Sequence, residues 1–279
     1  MALQQELERE GNWLFRYRSY LPIAMLAVGM MIFYVTLQHH EGLFFRIQVL
    51  DTKLRLGMGE HGSWRLYEYL CLMVSLLGVA IRIYTVGHTP ANTSGRNTTG
   101  QLADNLNTTG IYSLVRHPLY LGNFHMYFGI AMLVCDIGFA FIFILTYWLY
   151  YERIMYCEEQ FLHRKFGEEY TVWASHTPAF IPRLSHFKRP DYCFSWKKVV
   201  KKEKNGIFAL FLIFTIFDGI AVKCREILEV EPHGFPEFEL GGLEGINPIL
   251  LVLTIVSGIA YVVLKIIKKK THLLDEEGR

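Results

Sequence analysis

The chain has 279 residues, 52% of them hydrophobic and 19% charged, with a formal net charge of +2. A mean hydropathy of +0.22 is too apolar for an ordinary soluble domain and calls for membrane spans. So small a net charge gives no support to a nucleic-acid partner. The five cysteines (Cys71, Cys135, Cys157, Cys193, Cys224) are scattered without CxxC spacing, which argues against a disulfide framework and a zinc site.

In chain order, six membrane segments are expected, which makes this an all-α integral membrane protein. Residues 21–37 carry no charge; Arg16 and Arg18 precede them and no small-x-small site follows, so they read as a retained helix rather than a leader. Residues 66–83 form a weaker segment with Glu68 and Arg82 near its ends. The loop 88–107 is rich in Asn, Thr, Gly and Ser and holds three Asn-x-Ser/Thr triplets, at Asn92, Asn97 and Asn107. Long loops of this kind are often lids or binding segments. Residues 119–151 contain only His125 and Asp136 as ionisable groups other than tyrosine and cysteine. One straight helix of that length would measure roughly 50 Å, against a hydrocarbon core of about 30 Å. Asp136 and Gly138 mark the break, so the run folds as a tight helical hairpin whose two ends return to one side. Residues 207–222 and 248–264 supply the last two segments.

The positive-inside rule gives an orientation. Arg9, Arg16, Arg18, Arg116, Arg153, Arg164, Lys165, Arg183, the 188–204 basic run and the 265–270 basic run fall on the cytosolic side. The Glu-rich loop 223–247 falls on the other, while Arg46, Lys53, Arg55, Lys223 and Arg225 run against the rule. Lys197, Lys198, Lys201, Lys202 and Lys204 read as a topology signal that also touches anionic lipid. Three regions are expected: residues 1–101 with the first membrane helices and a cytosolic loop, a core at 102–186 with the hairpin, and an extension at 187–279 with two more spans.

Polar residues gather at both ends of the hairpin, where ionisable groups are costly and usually functional. Tyr112, Arg116, His117 and Tyr120 stand at its entrance; Glu152, Arg153, Glu158, Glu159, Tyr170 and His176 stand at its exit. Glu158 and Glu159 are about 100° apart on a helix, so only one faces a given pocket. The other fits a structural ion pair with Arg116, and Pro118 fits the first position of the inserted helix. The histidines lack HxxxH or HxxEH spacing and no Walker, GxGxxG or GxSxG motif occurs, so no metal, nucleotide hydrolysis or serine-ester hydrolysis is expected.

At these two clusters the chain resembles the isoprenylcysteine carboxyl methyltransferase and phospholipid methyltransferase superfamily of integral-membrane enzymes. One half of the resemblance is Thr109-Gly-Ile-Tyr112-Ser-Leu-Val-Arg116-His117-Pro118-Leu119-Tyr120-Leu-Gly122. The other is Glu158-Glu159-Gln-Phe-Leu-His-Arg-Lys-Phe166-Gly167-Glu-Glu-Tyr170 with Pro178-Ala-Phe-Ile-Pro182, and together they cover under a third of the chain. The resemblance implies S-adenosylmethionine bound on the cytosolic side and a lipophilic acceptor, a membrane lipid or a lipid-linked molecule, arriving from the bilayer. It assigns Tyr112, His117, Pro118, Leu119 and Tyr120 to the cofactor, Glu158 to its polar end, and the stretch Asp104, Asn105, Leu106 and Asn107 to its lining. Arg116, Glu159, Arg153 and His176 are the catalytic candidates. The chain departs from isoprenylcysteine methyltransferases at Ile154, where they carry an Arg, and at His176, where they carry a basic residue.

Physical chemistry agrees with a methyl donor of this kind, because aromatic faces and a carboxylate stabilise a sulfonium. An anionic acceptor needs little more than alignment and exclusion of water, whereas an ammonium acceptor needs a base, for which His117 or His176 would serve. The leading expectation is methylation of a lipid head group, on an amine or a phosphate oxygen. The second is a prenylcysteine carboxylate or another small lipophilic acid or thiol. A sterol-type nicotinamide-dependent reductase would show Arg-His-x-Asn-Tyr in place of Arg116-His117-Pro118-Leu119-Tyr120. A non-enzymatic membrane scaffold would bind no cofactor. The expected location is a bacterial inner membrane or the endoplasmic reticulum.

Overall fold

A computed structural model describes residues 2–38, 62–90, 101–230 and 245–274, with side chains of 38, 62–63 and 224–230 excepted. Eight α-helices run through these residues: α1 (Leu3–Arg16), α2 (Tyr20–Gln38), α3 (Gly62–Gly87), α4 (Pro118–Leu133), α5 (Ile137–Phe166), α6 (Glu168–His176), α7 (Trp196–Val230) and α8 (Pro248–Lys270). Five of them, α2, α3, α5, α7 and α8, are long and apolar enough to cross a membrane. The sixth expected segment is α4, whose 16 residues reach only about 24 Å and which serves as the short arm of the hairpin.

The hairpin breaks where the charge stands. Cys135 takes a left-handed φ of 58° and Asp136 caps α5, its Oδ1 accepting from the Phe139 amide at 2.5 Å. Behind the turn, α4 and α5 are zipped by rings: Phe124 packs on Phe143 and on Tyr147, and Tyr120 packs on Tyr151 with centroids 5.0 Å apart. The Tyr147 hydroxyl donates to the Tyr120 carbonyl at 2.7 Å. Running for 30 residues, α5 is about 45 Å long. Counted from Ile137, about 20 residues cross the hydrocarbon, so its last turns emerge into the interface with Glu158 and Glu159 on them.

Because Glu68 and Arg82 find partners within the bundle, α3 is a complete helix of 26 residues. Glu68 accepts from the Asn247 amide at 2.9 Å and Arg82 is held by Glu203. Against α3, α4 packs backbone to backbone. A Cβ on Gly78 would lie 2.5 Å from the Met126 amide, and one on Gly122 would lie 2.6 Å from Arg82 Cγ. Small residues permit this approach in a membrane, where van der Waals packing replaces the hydrophobic effect between helices.

The last two helices join the bundle. α7 packs on α3, α2 and α4, and α8 packs on α7, with Thr215 and Thr254 hydroxyls 2.7 Å apart. The outer face of α8 leaves Ile249, Val252, Ile255, Val256, Ile259 and Val262 exposed, as a lipid-facing helix must. Arg46, Lys53, Arg55, Asn92, Asn97 and most of the Glu-rich loop lie outside the described residues.

Candidate functional site

The two polar clusters meet. Residues Arg116 and His117 lie alongside the segment that follows α6: the Arg116 amide donates to the Pro178 carbonyl at 2.9 Å and the His117 amide to the Ala179 carbonyl at 3.2 Å. The Arg183 amide returns a bond to the Leu114 carbonyl at 3.0 Å. The Pro178–Pro182 segment is therefore a brace that fixes the chain entering α4. Pro118 opens α4 at a position where no amide is needed.

On this brace, side chains from the two arms interlock. Tyr120 donates to Glu158 Oε1 at 2.6 Å, His117 Nε2 lies 2.9 Å from Glu159 Oε1, and His117 Nδ1 lies 3.6 Å from Glu158 Oε2. His117 also stacks on Tyr120, centroids 5.7 Å apart. Arg116 Nε sits 3.0 Å from Glu159 Oε1, and its Nη1 donates to the Ala174 carbonyl. Burial works against a charged His117, but the hydrogen bonds and charges of Glu158 and Glu159 outweigh it and lift its pKa above the ordinary histidine value. Burial, with the Glu158 charge added, also pushes the Tyr112 hydroxyl well up and keeps it neutral.

A cavity of about 1070 Å³ opens beside this cluster. Its floor near the cluster is Tyr112, His117, Pro118, Leu119, Tyr120, Tyr151, Glu158 and Trp173, with Asn105, Leu106 and Asn107 along one side. Trp173 is fixed by donating to the Tyr112 carbonyl at 3.1 Å. Arg18, Arg82, Asn123, Tyr127, Lys202 and Glu203 also belong to the lining.

The adjacent glutamates divide as helix geometry requires: Glu158 faces the cavity, while Glu159 turns to Arg116 and His117 and lines none of it. Glu159 is thus placed to hold the hairpin mouth rather than to touch a substrate. Three further expectations are corrected. Arg153 does not face the cavity; it pairs with Glu10 of α1 at 2.9 Å. It is five residues before Glu158, about 140° around the helix, and α1 runs so close there that a Cβ on Gly11 would lie 2.7 Å from Cys157 Cβ. His176 is exposed at the end of α6, its Nδ1 2.9 Å from the Val172 carbonyl, and it lines no part of the cavity. Asp104 is exposed and outside the lining.

The basic run in the first turns of α7 also departs from its reading as a lipid-facing tract. Lys198 is buried, donating to the Pro90 carbonyl at 2.8 Å and to Thr89 Oγ1 at 3.0 Å, and Lys202 lines the cavity. Sequence reasoning missed Arg18, Tyr151, Trp173, Asn123 and Glu203. Arg82 and Asn123 carried a usable signal, a charge and an amide inside apolar runs; Glu203 was hidden among lysines. Among the described residues no three His, Cys, Asp or Glu side chains come together as a metal site.

Comparison with known proteins adds a family context. Residues 67–169 match the phospholipid methyltransferase family. The nickel-cobalt-cadmium resistance protein NccN of Alcaligenes xylosoxydans xylosoxydans is 40% identical over 155 residues, 54% of this chain and 68% of that protein. The cobalt-zinc-cadmium resistance protein CzcN of Cupriavidus metallidurans is 33% identical over 46% of this chain and 55% of that protein. Protein-S-isoprenylcysteine O-methyltransferase B of Arabidopsis thaliana is 29% identical over 51% of this chain and 74% of that protein. No solved structure matches.

Proposed function

Because the chain belongs to the isoprenylcysteine carboxyl methyltransferase and phospholipid methyltransferase superfamily of membrane enzymes, we propose that it moves a methyl group from S-adenosylmethionine to a lipophilic acceptor drawn from the bilayer. The acceptor head is a lipid head group. The single observation that carries the reading is the meeting of Glu158 with Tyr120 at the floor of a cavity built by both arms of the hairpin.

The residues there fit the donor. Glu158 offers a carboxylate to a cation, and Tyr112, Tyr120, Tyr151 and Trp173 offer aromatic surface to a sulfonium and an adenine. When bound, S-adenosylmethionine supplies an electrophilic methyl group. Glu158 and Tyr120 orient the donor's polar end, and His117 fixes the Glu158 carboxylate from behind. The aromatic floor and the Asn105–Asn107 segment exclude water. With Glu159 and Arg116 bracing the mouth, alignment rather than proton transfer is what this chain contributes.

A second reading, methylation of a prenylcysteine carboxylate, is favoured by the similarity to the isoprenylcysteine O-methyltransferase of Arabidopsis. In either case the basic residues Arg9, Arg16, Arg164 and Lys165 support a cytosolic-side cavity by the positive-inside rule, and on this reading Lys197 with the basic end of α8 meets anionic lipid. Incubating purified protein with methyl-labelled donor and a total lipid extract, followed by mass spectrometry, tests the proposal. A labelled lipophilic product is expected. Absence of donor binding by the folded protein overturns it.

A further inference from the structure

The cavity has a second polar station, whose two charged residues lie outside both motifs. Arg82 of α3 lies with Glu203 of α7 in a two-pronged pair: Nε donates to Oε2 and Nη2 to Oε1, both at 2.8 Å. Arg82 Nη1 donates to Asn123 Oδ1 of α4. The pair is nearly enclosed, its side chains 15% and 4% exposed. All three residues line the same cavity as Glu158. A buried ion pair with an amide beside it inside a membrane bundle is costly to keep and marks a site of use.

Hydrogen-bond accounting shows what the station offers. A guanidinium has five N–H donors. Glu203 and Asn123 take three, which leaves one on each terminal nitrogen of Arg82. The Asn123 amide accepts through its oxygen and keeps both N–H donors. The lining also holds Arg18, Arg116 and Lys202, so Arg18, Arg82, Arg116 and Lys202 stand against the two carboxylates of Glu158 and Glu203 and the cavity is net positive.

We infer that Arg82 and Asn123 bind an anionic oxygen on the head of the acceptor, a carboxylate or a phosphate carried by a lipophilic tail, and that Glu203 is the positioning residue that sets Arg82. The inference rests on the methyltransferase reading and narrows its acceptor. It agrees with the proton bookkeeping. Transfer to an anionic oxygen forms one O–C bond, breaks one C–S bond, leaves the electron pair on sulfur and moves no proton. An ammonium acceptor would have to lose one, and the histidine at this cavity, His117, already has a carboxylate beside each ring nitrogen. Charge cancels in the product, which a low-dielectric cavity favours. The C-terminal extension thereby contributes directly to acceptor choice through Glu203.

The test uses the full chain in neutral-lipid nanodiscs and reads binding, separately from turnover. Thermal stabilisation is measured with N-acetyl-S-farnesyl-cysteine, with its uncharged methyl amide, with farnesyl phosphate and with farnesylamine. The oxyanion probes are expected to stabilise the protein and the amide and amine to do so far less; the stronger of the two oxyanions identifies the source. Arg82→Gln and Asn123→Ala are expected to weaken oxyanion binding at least tenfold while leaving S-adenosylhomocysteine binding within twofold. Glu203→Gln should weaken it as well, with partial recovery in Glu203→Asp, and raise the acceptor KM more than it lowers kcat. Equal stabilisation by amide and acid, or oxyanion binding indifferent to Arg82→Gln and Asn123→Ala, overturns the inference. Should Arg82→Gln fail to fold, Asn123→Ala alone decides. Failure of the wild-type protein to bind S-adenosylhomocysteine sinks the methyltransferase reading instead, a result this series records independently.

Discussion

The Tyr120 hydroxyl and the Glu158 carboxylate, 38 residues apart, meet at 2.6 Å across the two arms of the membrane hairpin. This bond closes the floor of the cavity and aims one of two adjacent glutamates into it.

Glu158→Ala is expected to abolish binding of S-adenosylhomocysteine. Tyr120→Phe, which removes only the hydroxyl, should weaken it about tenfold, since a hydrogen bond to a charged group contributes about 1.5–3 kcal/mol. Titration calorimetry on the detergent-solubilised protein checks both. Unchanged binding in Glu158→Ala would take that residue out of the donor site.

The pH dependence of stability should carry a signature of His117. Its folded pKa stands above the ordinary value because Glu158 and Glu159 favour the charged form more than burial disfavours it. A raised folded pKa gives stability that is fully present below the unfolded value near 6.5 and is lost as pH rises through the folded one. Thermal midpoints should therefore fall as pH is raised above about 6.5, and the fall should flatten in His117→Gln. A fall of equal steepness in that variant would assign it to other groups.

Arg153→Ala is expected to leave both donor binding and methyl transfer intact. Its ion pair with Glu10 is half in solvent, and such pairs contribute about 0–1 kcal/mol. A small drop in thermal midpoint with full activity is the outcome the geometry requires. A selective loss of acceptor turnover would mean that α1 moves aside during the reaction.

The α3–α4 contact should tolerate no bulk. Gly78→Leu places a Cβ 2.5 Å from the Met126 amide and forces the helices apart. Overpacking of this kind costs about 1–3 kcal/mol or more, and because α4 carries the His117 end of the site, donor binding should fall with stability. An exposed control on the same helix, Leu77→Ala, should change neither.

The sequence alone determined where the chain enters the membrane and where it doubles back. Those features follow from runs of apolar residues and from single charges such as Asp136, whose cost in hydrocarbon is local and so readable from neighbours in the chain. It also placed Tyr112, His117, Tyr120 and Glu158 near one another, because a hairpin must return to its own side. Only the tertiary structure decided which glutamate looks into the cavity and which braces Arg116. It likewise turned Arg153 toward α1, left His176 and Asp104 outside, and joined Arg82 to Glu203 across 121 residues of chain. Such choices depend on helix rotation and on partners supplied by distant segments, quantities that the periodicity of one helix does not contain.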